Sequence, residues 1–301
     1  MKRVFVLLLT LIVPLLRAET LHNHNGPTRY PKIIHIGYVL EGVPQYQIAD
    51  LKIAFENLLK RYAASDDLKA DIHYYDYSKE AVKDFMEKKI DTISGPSLLW
   101  AKHHKQILPR GSLFYIAKKC DALYERYLLL RNKGMKTDKR RYSLLLPYGD
   151  FNAMLFVKHD TLSRLHTIPD NYYRIGKSKK ASIAIYQTFF NKADYAVVPE
   201  SAWQIALEMN PDIANRLTVV SRSPKVLFYG AGCYANDLDP KLLERIRRSH
   251  AALEKSIMGQ QLLAIIQIKG NAEVDIDAFT PFLDYVNETE RLEAEWESEA
   301  R

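Results

Sequence analysis

The sequence predicts an α/β protein of two lobes, the second inserted into the first, with two crossover strands between them and a ligand cleft where they meet. Three observations predict it. From Lys32 onward short apolar strands alternate with amphipathic helices, the pattern of parallel pairing with right-handed crossovers. At "NKGMKTDKRR", Asn132 to Arg141, the composition turns abruptly basic and polar, and a second series of strands and helices begins. At "PKVLFYGAGCYAND", Pro224 to Asp237, an apolar run carries the chain back out.

The elements follow in order. "KIIHIGYVL" (Lys32 to Leu40) reads as a strand and "EGVPQYQ" as a turn bearing Gly and Pro. In "IADLKIAFENLLKRY" the residues Ile48, Leu51, Phe55, Leu58, Leu59 and Tyr62 share one helical face. "ADIHYYDY" is a strand, Ser78 a cap for the helix "KEAVKDFMEKK", and "IDTIS" a strand. Two apolar runs, "LFYIAKK" and "RYLLLRN", lead to a crossover at Leu130 to Lys133. The second lobe holds the strand and turn "YSLLLPYGD", the helices "FNAMLFVKHDTLSRL" and "ASIAIYQTFFN", the strand Ala193 to Glu200, the helix "SAWQIALEM" and the strand "NRLTVVSRS". Asp239-Pro240 then opens a long helix, an N-cap followed by a proline at the first helical position. Leu242, Leu243, Ile246, Leu253 and Ile257 form its apolar face. The acidic end "ETERLEAEWESEA" is read as an exposed helix or a frayed tail.

The N-terminus, MKRVFVLLLTLIVPLLRAET, has a basic start, an apolar stretch and a small residue at Ala18, the layout of a secretory signal peptide. The apolar run is interrupted by Pro14 and falls short of the roughly 20 residues of a membrane span. An uncleaved anchor is the alternative. Residues 1–18 are thus read as the signal, 19–130 and 223–301 as the first lobe, and 131–222 as the inserted lobe. The mature chain is expected to be soluble, periplasmic and monomeric.

Formal net charge is +7, but its distribution says more. Residues 131–190 carry twelve Lys/Arg against four Asp, while 271–301 carry ten Asp/Glu against two Arg. Export removes nucleic acid as a partner, which leaves an anionic ligand, a membrane-proximal partner or plain solvated surface. Cys120 and Cys233 enter an oxidising compartment, where a disulfide between them is allowed but not required. The pairs His22/His24 and His103/His104 have no acid/His set at ligand spacing, so no metal and no cofactor are expected. No Gly-x-Ser-x-Gly, Gly-x4-Gly-Lys or His-Glu-x-x-His motif occurs, and no enzymatic activity is expected.

The stretch "KKIDTISGPSLLW" runs from a strand through Ser94, Gly95, Pro96 and Ser97 into a helix. The first turn of that helix leaves backbone N–H groups without an internal partner. Water, a capping side chain or an anion can satisfy them. In open α/β sheets ligands sit outside the carboxyl ends of the strands, where this turn and the loop Glu41 to Gln47 both stand.

"IDTISGPSLLW", "FFNKADYAVVPESAWQIALEMNPDIANRLTVVSRSP" and "MGQQLL" together resemble the phosphate/phosphite/phosphonate-type periplasmic substrate-binding proteins of ABC transporters. The resemblance implies the type II periplasmic-binding-protein fold and a small anionic solute gripped between lobes and delivered to a permease. It places Ser94 to Ser97 in the ligand loop of lobe one, Tyr46 in the first-strand loop, and Glu200 and Ser201 at the cleft. In lobe two the family's serine-rich turn is replaced by Tyr148, Gly149, Asp150 and Asn152, and an aspartate there would repel an anion. Asp150 is alternatively the N-cap of its helix, Glu200 the cap of the helix starting at Ser201, and Tyr46 a loop aromatic packed on its own lobe. A membrane sensor kinase that reads the closed form is the alternative partner to the permease.

Overall fold

The computed structural model describes residues 33–43, 48–57, 69–119, 122–265 and 268–299. The signal segment, Tyr46 and Cys120 lie outside them. The chain runs β1 (Ile33–Val39), α1 (48–57), β2 (Lys69–Tyr75), α2 (Ser78–Met86), β3 (Thr92–Pro96), α3 (Ser97–Ile107) and β4 (Gly111–Lys118). It continues through β5 (Tyr127–Asn132), β6 (Tyr142–Pro147), α4 (Phe151–Leu165), α5 (Pro169–Tyr172), β7 (Tyr173–Ser178), α6 (Ala181–Phe189), β8 (Tyr195–Pro199), α7 (Glu200–Met209), α8 (Ile213–Arg216) and β9 (Leu217–Arg222). It ends with β10 (Gly230–Ala235), α9 (Pro240–Lys255), α10 (Ile257–Ile265), β11 (Gly270–Val274), a 3-10 turn (Ile276–Phe279) and α11 (Thr280–Glu299).

Among the described residues these strands form two sheets. One has the order β11-β4-β10-β3-β1-β2 and the other β7-β6-β8-β5-β9. In the first, β1 pairs parallel with β2 and β3, while β10 returns antiparallel between β3 and β4. In the second, β6 is parallel to β7 and β8, and β5 lies antiparallel between β8 and β9. The chain passes between sheets before β5 and again at 223–229, and the described residues 122–126 lie beside the second passage: Glu125 N donates to Leu227 O at 2.6 Å and Ser223 N to Tyr127 O at 2.9 Å. The first passage is upstream of the expected Leu130 to Lys133, because Tyr127–Asn132 is hydrogen-bonded into the second sheet on both sides.

Burial explains the strand compositions. β5 sends Leu128 and Leu130 to one face and Tyr127 and Leu129 to the other, and every one is buried. A central strand covered on both faces reads as a continuous apolar run rather than an alternation. The larger core joins both sheets through Trp100, Phe228, Phe279 and Phe282. Phe228, on the second passage, stacks at 4.5 Å on Phe282 of α11. Of the two readings of the acidic end the helix holds: 288–299 is the largely exposed second half of α11, whose first half buries Phe282, Tyr285 and Val286; α11 crosses to α4, with the His159 and Tyr285 rings 4.5 Å apart and a Lys158–Glu293 ion pair.

Two details bear on the sequence reading. Ile257 belongs to α10 and is exposed, because α9 ends at Lys255; among the described side chains of the expected face, Leu242 and Ile246 are buried. Cys233 is a free thiol buried in β10; Cys120, the other end of the allowed bridge, lies outside the described residues.

Candidate functional site

The strand-to-helix turn after β3 is built for a close approach. A Cβ at Gly95 would stand 2.9 Å from Val39 Cβ, so only glycine lets β3 lie against the end of β1 at that point. α3 begins after Pro96 with no side-chain cap and no acidic residue in its first turn. Ser94 is buried in the strand and its hydroxyl donates to Gly37 O at 3.3 Å. Ser97 turns the other way, to the inserted sheet, and its Oγ donates to Asn152 Oδ1 at 2.9 Å. Asn152 Nδ2 in turn donates to Phe228 O at 2.8 Å. One buried amide therefore ties together the N-termini of α3 and α4 and the second passage between sheets.

The turn before α4 needs Gly149, whose φ is 72°, a left-handed conformation. Asp150 caps α4 by accepting from Ala153 N at 3.0 Å. It also accepts from the Tyr127 hydroxyl, at 2.8 Å to Oδ2 and 3.0 Å to Oδ1. Burial pushes the Asp150 carboxyl above its ordinary range, against the pull of these bonds. Burial, together with the neighbouring Asp150 charge, keeps the Tyr127 phenol protonated. Tyr148 stays exposed at the rim, with Lys177 Nζ 5.1 Å from its ring centre.

At the start of α7, Ser201 Oγ donates to Glu125 Oε2 at 2.6 Å and Ser201 N to Oε1 at 3.4 Å. Glu200 points to Arg126, 3.8 Å away, and donates its backbone N–H to Arg126 O at 2.7 Å. The Arg126 Nε is buried without a partner. At the start of α2, Glu41 accepts from Ser78 N at 2.8 Å and from the Ser78 hydroxyl, and pairs with Lys102 at 2.5 Å. Burial alone would raise its pKa, but the bonds from Lys102 and Ser78 hold it at about 2.

The starts of α2, α4 and α7 are thus each met by a carboxylate of the chain itself, from Glu41, Asp150 and Glu125. That of α3 is not. A small cavity beside it is lined by Lys119, Leu123, Tyr124, Glu125, Tyr127, Asn152 and Tyr229, with Lys119 Nζ 4.7 Å from the Tyr229 ring centre.

Of the residues singled out in the sequence, Ser97, Asp150 and Asn152 come together, and Ser201 joins them through Glu125. Ser94, Tyr148 and Glu200 are engaged elsewhere. Sequence reading missed Glu41, Lys119, Glu125, Tyr127 and Tyr229; four of them lie in or beside the passages between sheets, a position that would have pointed to them. His103 bonds to Ser78 at 3.0 Å and Gln106 at 2.8 Å. A different set, His35, Asp71 and His73, is brought together by strand pairing.

Known proteins place this arrangement. The comparison with curated proteins finds no match. Among solved structures, a binding protein component of an ABC phosphonate transporter from Pseudomonas aeruginosa is similar with a TM-score of 0.58 at 14% identity, covering 88% of each chain. PhnD1 from Prochlorococcus marinus, in complex with methylphosphonate, gives 0.57 at 16% identity over 85% of this chain and 98% of that one. These likenesses give the fold, the two-sheet type II periplasmic-binding arrangement. Residues 122–279 match the profile of the family described as ABC transporter, phosphonate, periplasmic substrate-binding protein. That span is more than half the chain and runs from the first passage between sheets through the whole inserted sheet to the 3-10 turn before α11, so the protein belongs to the phosphonate periplasmic substrate-binding family of ABC transporters.

Proposed function

We propose that this chain captures a small phosphonate-like oxyanion that also carries a cationic group, holding it between α3 and α4 and handing it to a transporter permease. The carrying observation is the asymmetry of the helix starts: α3 alone among α2, α3, α4 and α7 offers a first turn without a carboxylate, while Asp150 caps the facing α4 and Glu125 lines the cavity shared with Asn152 and Tyr229. Backbone N–H groups at a helix start favour an anion. Nearby carboxylates disfavour a purely anionic solute and favour one whose ammonium group offsets them. Ser97, Asn152, Lys119 and Tyr229 are the further contacts of this reading, with Gly95 and Pro96 shaping the turn.

The working parts are a lobe of residues 19–126 and 223–279 and an inserted lobe that α11 joins, hinged at the paired passages 122–126 and 223–229. α11 moves with α4, because it is packed on it. The solute stabilises the closed form and the permease recognises that form, so no covalent chemistry is needed. Residues 1–18 direct export and are removed near Ala18, leaving a soluble monomer. The family describes a transporter component, which favours a permease over a sensor kinase as the partner.

A thermal-shift panel tests the ligand class, since a solute that binds only the folded chain raises its melting temperature. An aminoalkylphosphonate should raise it more than methylphosphonate or inorganic phosphate. A larger response to methylphosphonate or phosphate, or no response to any phosphonate, contradicts the proposal.

A further inference from the structure

The first strand pair carries a cluster that the solute site does not use. β1 and β2 run parallel with His35 opposite Asp71 and Gly37 opposite His73. Side chains two residues apart share a face of a strand, so Asp71 and His73 stand together beside His35. His73 Nε2 lies 3.2 Å from His35 Nδ1 and 3.3 Å from Asp71 Oδ2. Asp71 Oδ2 is 3.8 Å from His35 Nδ1.

Hydrogen bonding alone satisfies this triangle poorly. A ring nitrogen has one in-plane position, holding either a proton or a lone pair. His73 Nε2 faces two neighbours from that one position, and a single proton cannot lie on the line to both. A cation between the three atoms meets all of them. A point equidistant from three atoms at these separations is about 2 Å from each, the length of a zinc bond to imidazole nitrogen or carboxylate oxygen.

We propose that His35 Nδ1, Asp71 Oδ2 and His73 Nε2 form a binding site for a divalent transition-metal ion of the zinc class. Two imidazoles and one carboxylate suit Zn2+, Ni2+ or Cu2+ rather than Mg2+ or Ca2+. Asp71 is exposed and β2 is the edge strand of its sheet, so solvent reaches the site and water completes the coordination. His35 and Asp71 are each the third residue of their strand, near the ends opposite the loops that carry Glu41 and Ser97. The ion would therefore fasten the edge strand β2 to β1 without touching the solute.

Calorimetric titration of the untagged chain with zinc chloride tests the site, beside His73→Gln and Asp71→Asn, with circular dichroism to verify the fold of each. The wild type should take up zinc at one site. Both variants should keep the fold and lose at least tenfold in affinity, in line with the loss of a ligand. No zinc uptake by the wild type, or wild-type affinity in both variants, overturns the assignment. Zinc binding that survives in the variants while solute binding is unchanged would place the metal on other histidines and equally overturn it.

Discussion

Ser97 Oγ donates to Asn152 Oδ1 at 2.9 Å, with both side chains buried, although the two residues are 55 positions apart and open helices attached to different sheets. The bond is a direct link between the two halves of the proposed cleft. Removing one partner leaves the other buried and unsatisfied, which costs more than the bond itself contributes. Asn152→Ala also strips the donor from Phe228 O, so it should destabilise the chain by about 2 to 4 kcal/mol, and Ser97→Ala by about 1 to 2 kcal/mol. The double variant should show a coupling of about 0.5 kcal/mol or more in urea unfolding; strict additivity would mean that the pair does not interact in solution.

Glu41 should make stability acid-sensitive. Its folded pKa of about 2 lies below the ordinary 4.5. A lowered carboxyl contributes stability above its ordinary pKa and loses it as pH falls through the folded value. Glu41→Gln should therefore cost about 1 to 2 kcal/mol at neutral pH, with the gap to wild type closing between about pH 4.5 and pH 2. A gap that is constant with pH in chemical unfolding would show that the charge is not what Ser78 and Lys102 hold.

Phe282 anchors α11 to the core between Phe228 and the sheet. Phe282→Ala should cost about 3 to 5 kcal/mol, the range for a fully buried aromatic. Faster amide exchange should appear in α11 and α4 together, since α11 packs on α4. Exchange confined to α11 would separate the two helices.

The Cys233 thiol is buried and pushed well above its ordinary pKa, chiefly by burial. In a Cys120→Ala variant, Cys233 should resist Ellman's reagent in the folded chain and react fully in denaturant. Rapid reaction of the folded variant would contradict its burial.

The fold was legible where composition reports burial directly. The strand, helix, strand, helix, strand order of the first half, the Asp-Pro start of α9 and the buried run of β5 could all be read from residue types. β7 and β11 could not: "YRIGKS" and "GNAEV" are short, polar strands at sheet edges, whose pairing depends on neighbours far along the chain. The site was half legible for the same reason. Ser97 and Asp150 announce themselves as turn and capping residues, whereas Glu125 and Glu41 act on helix starts 76 and 37 positions away, and no local pattern marks them. The cluster His35, Asp71 and His73 is likewise a product of strand register, invisible to a search for ligands at short spacing.

The most direct measurement is a calorimetric titration of 2-aminoethylphosphonate into the wild-type chain and into Asp150→Asn, which keeps an N-cap for α4 while removing the charge. The account expects saturable binding by the wild type at one site and binding at least about tenfold weaker in the variant, the order of one lost charge-assisted contact. Binding of equal strength in both, or no heat from either, would contradict a solute held against Asp150 at the meeting of α3 and α4.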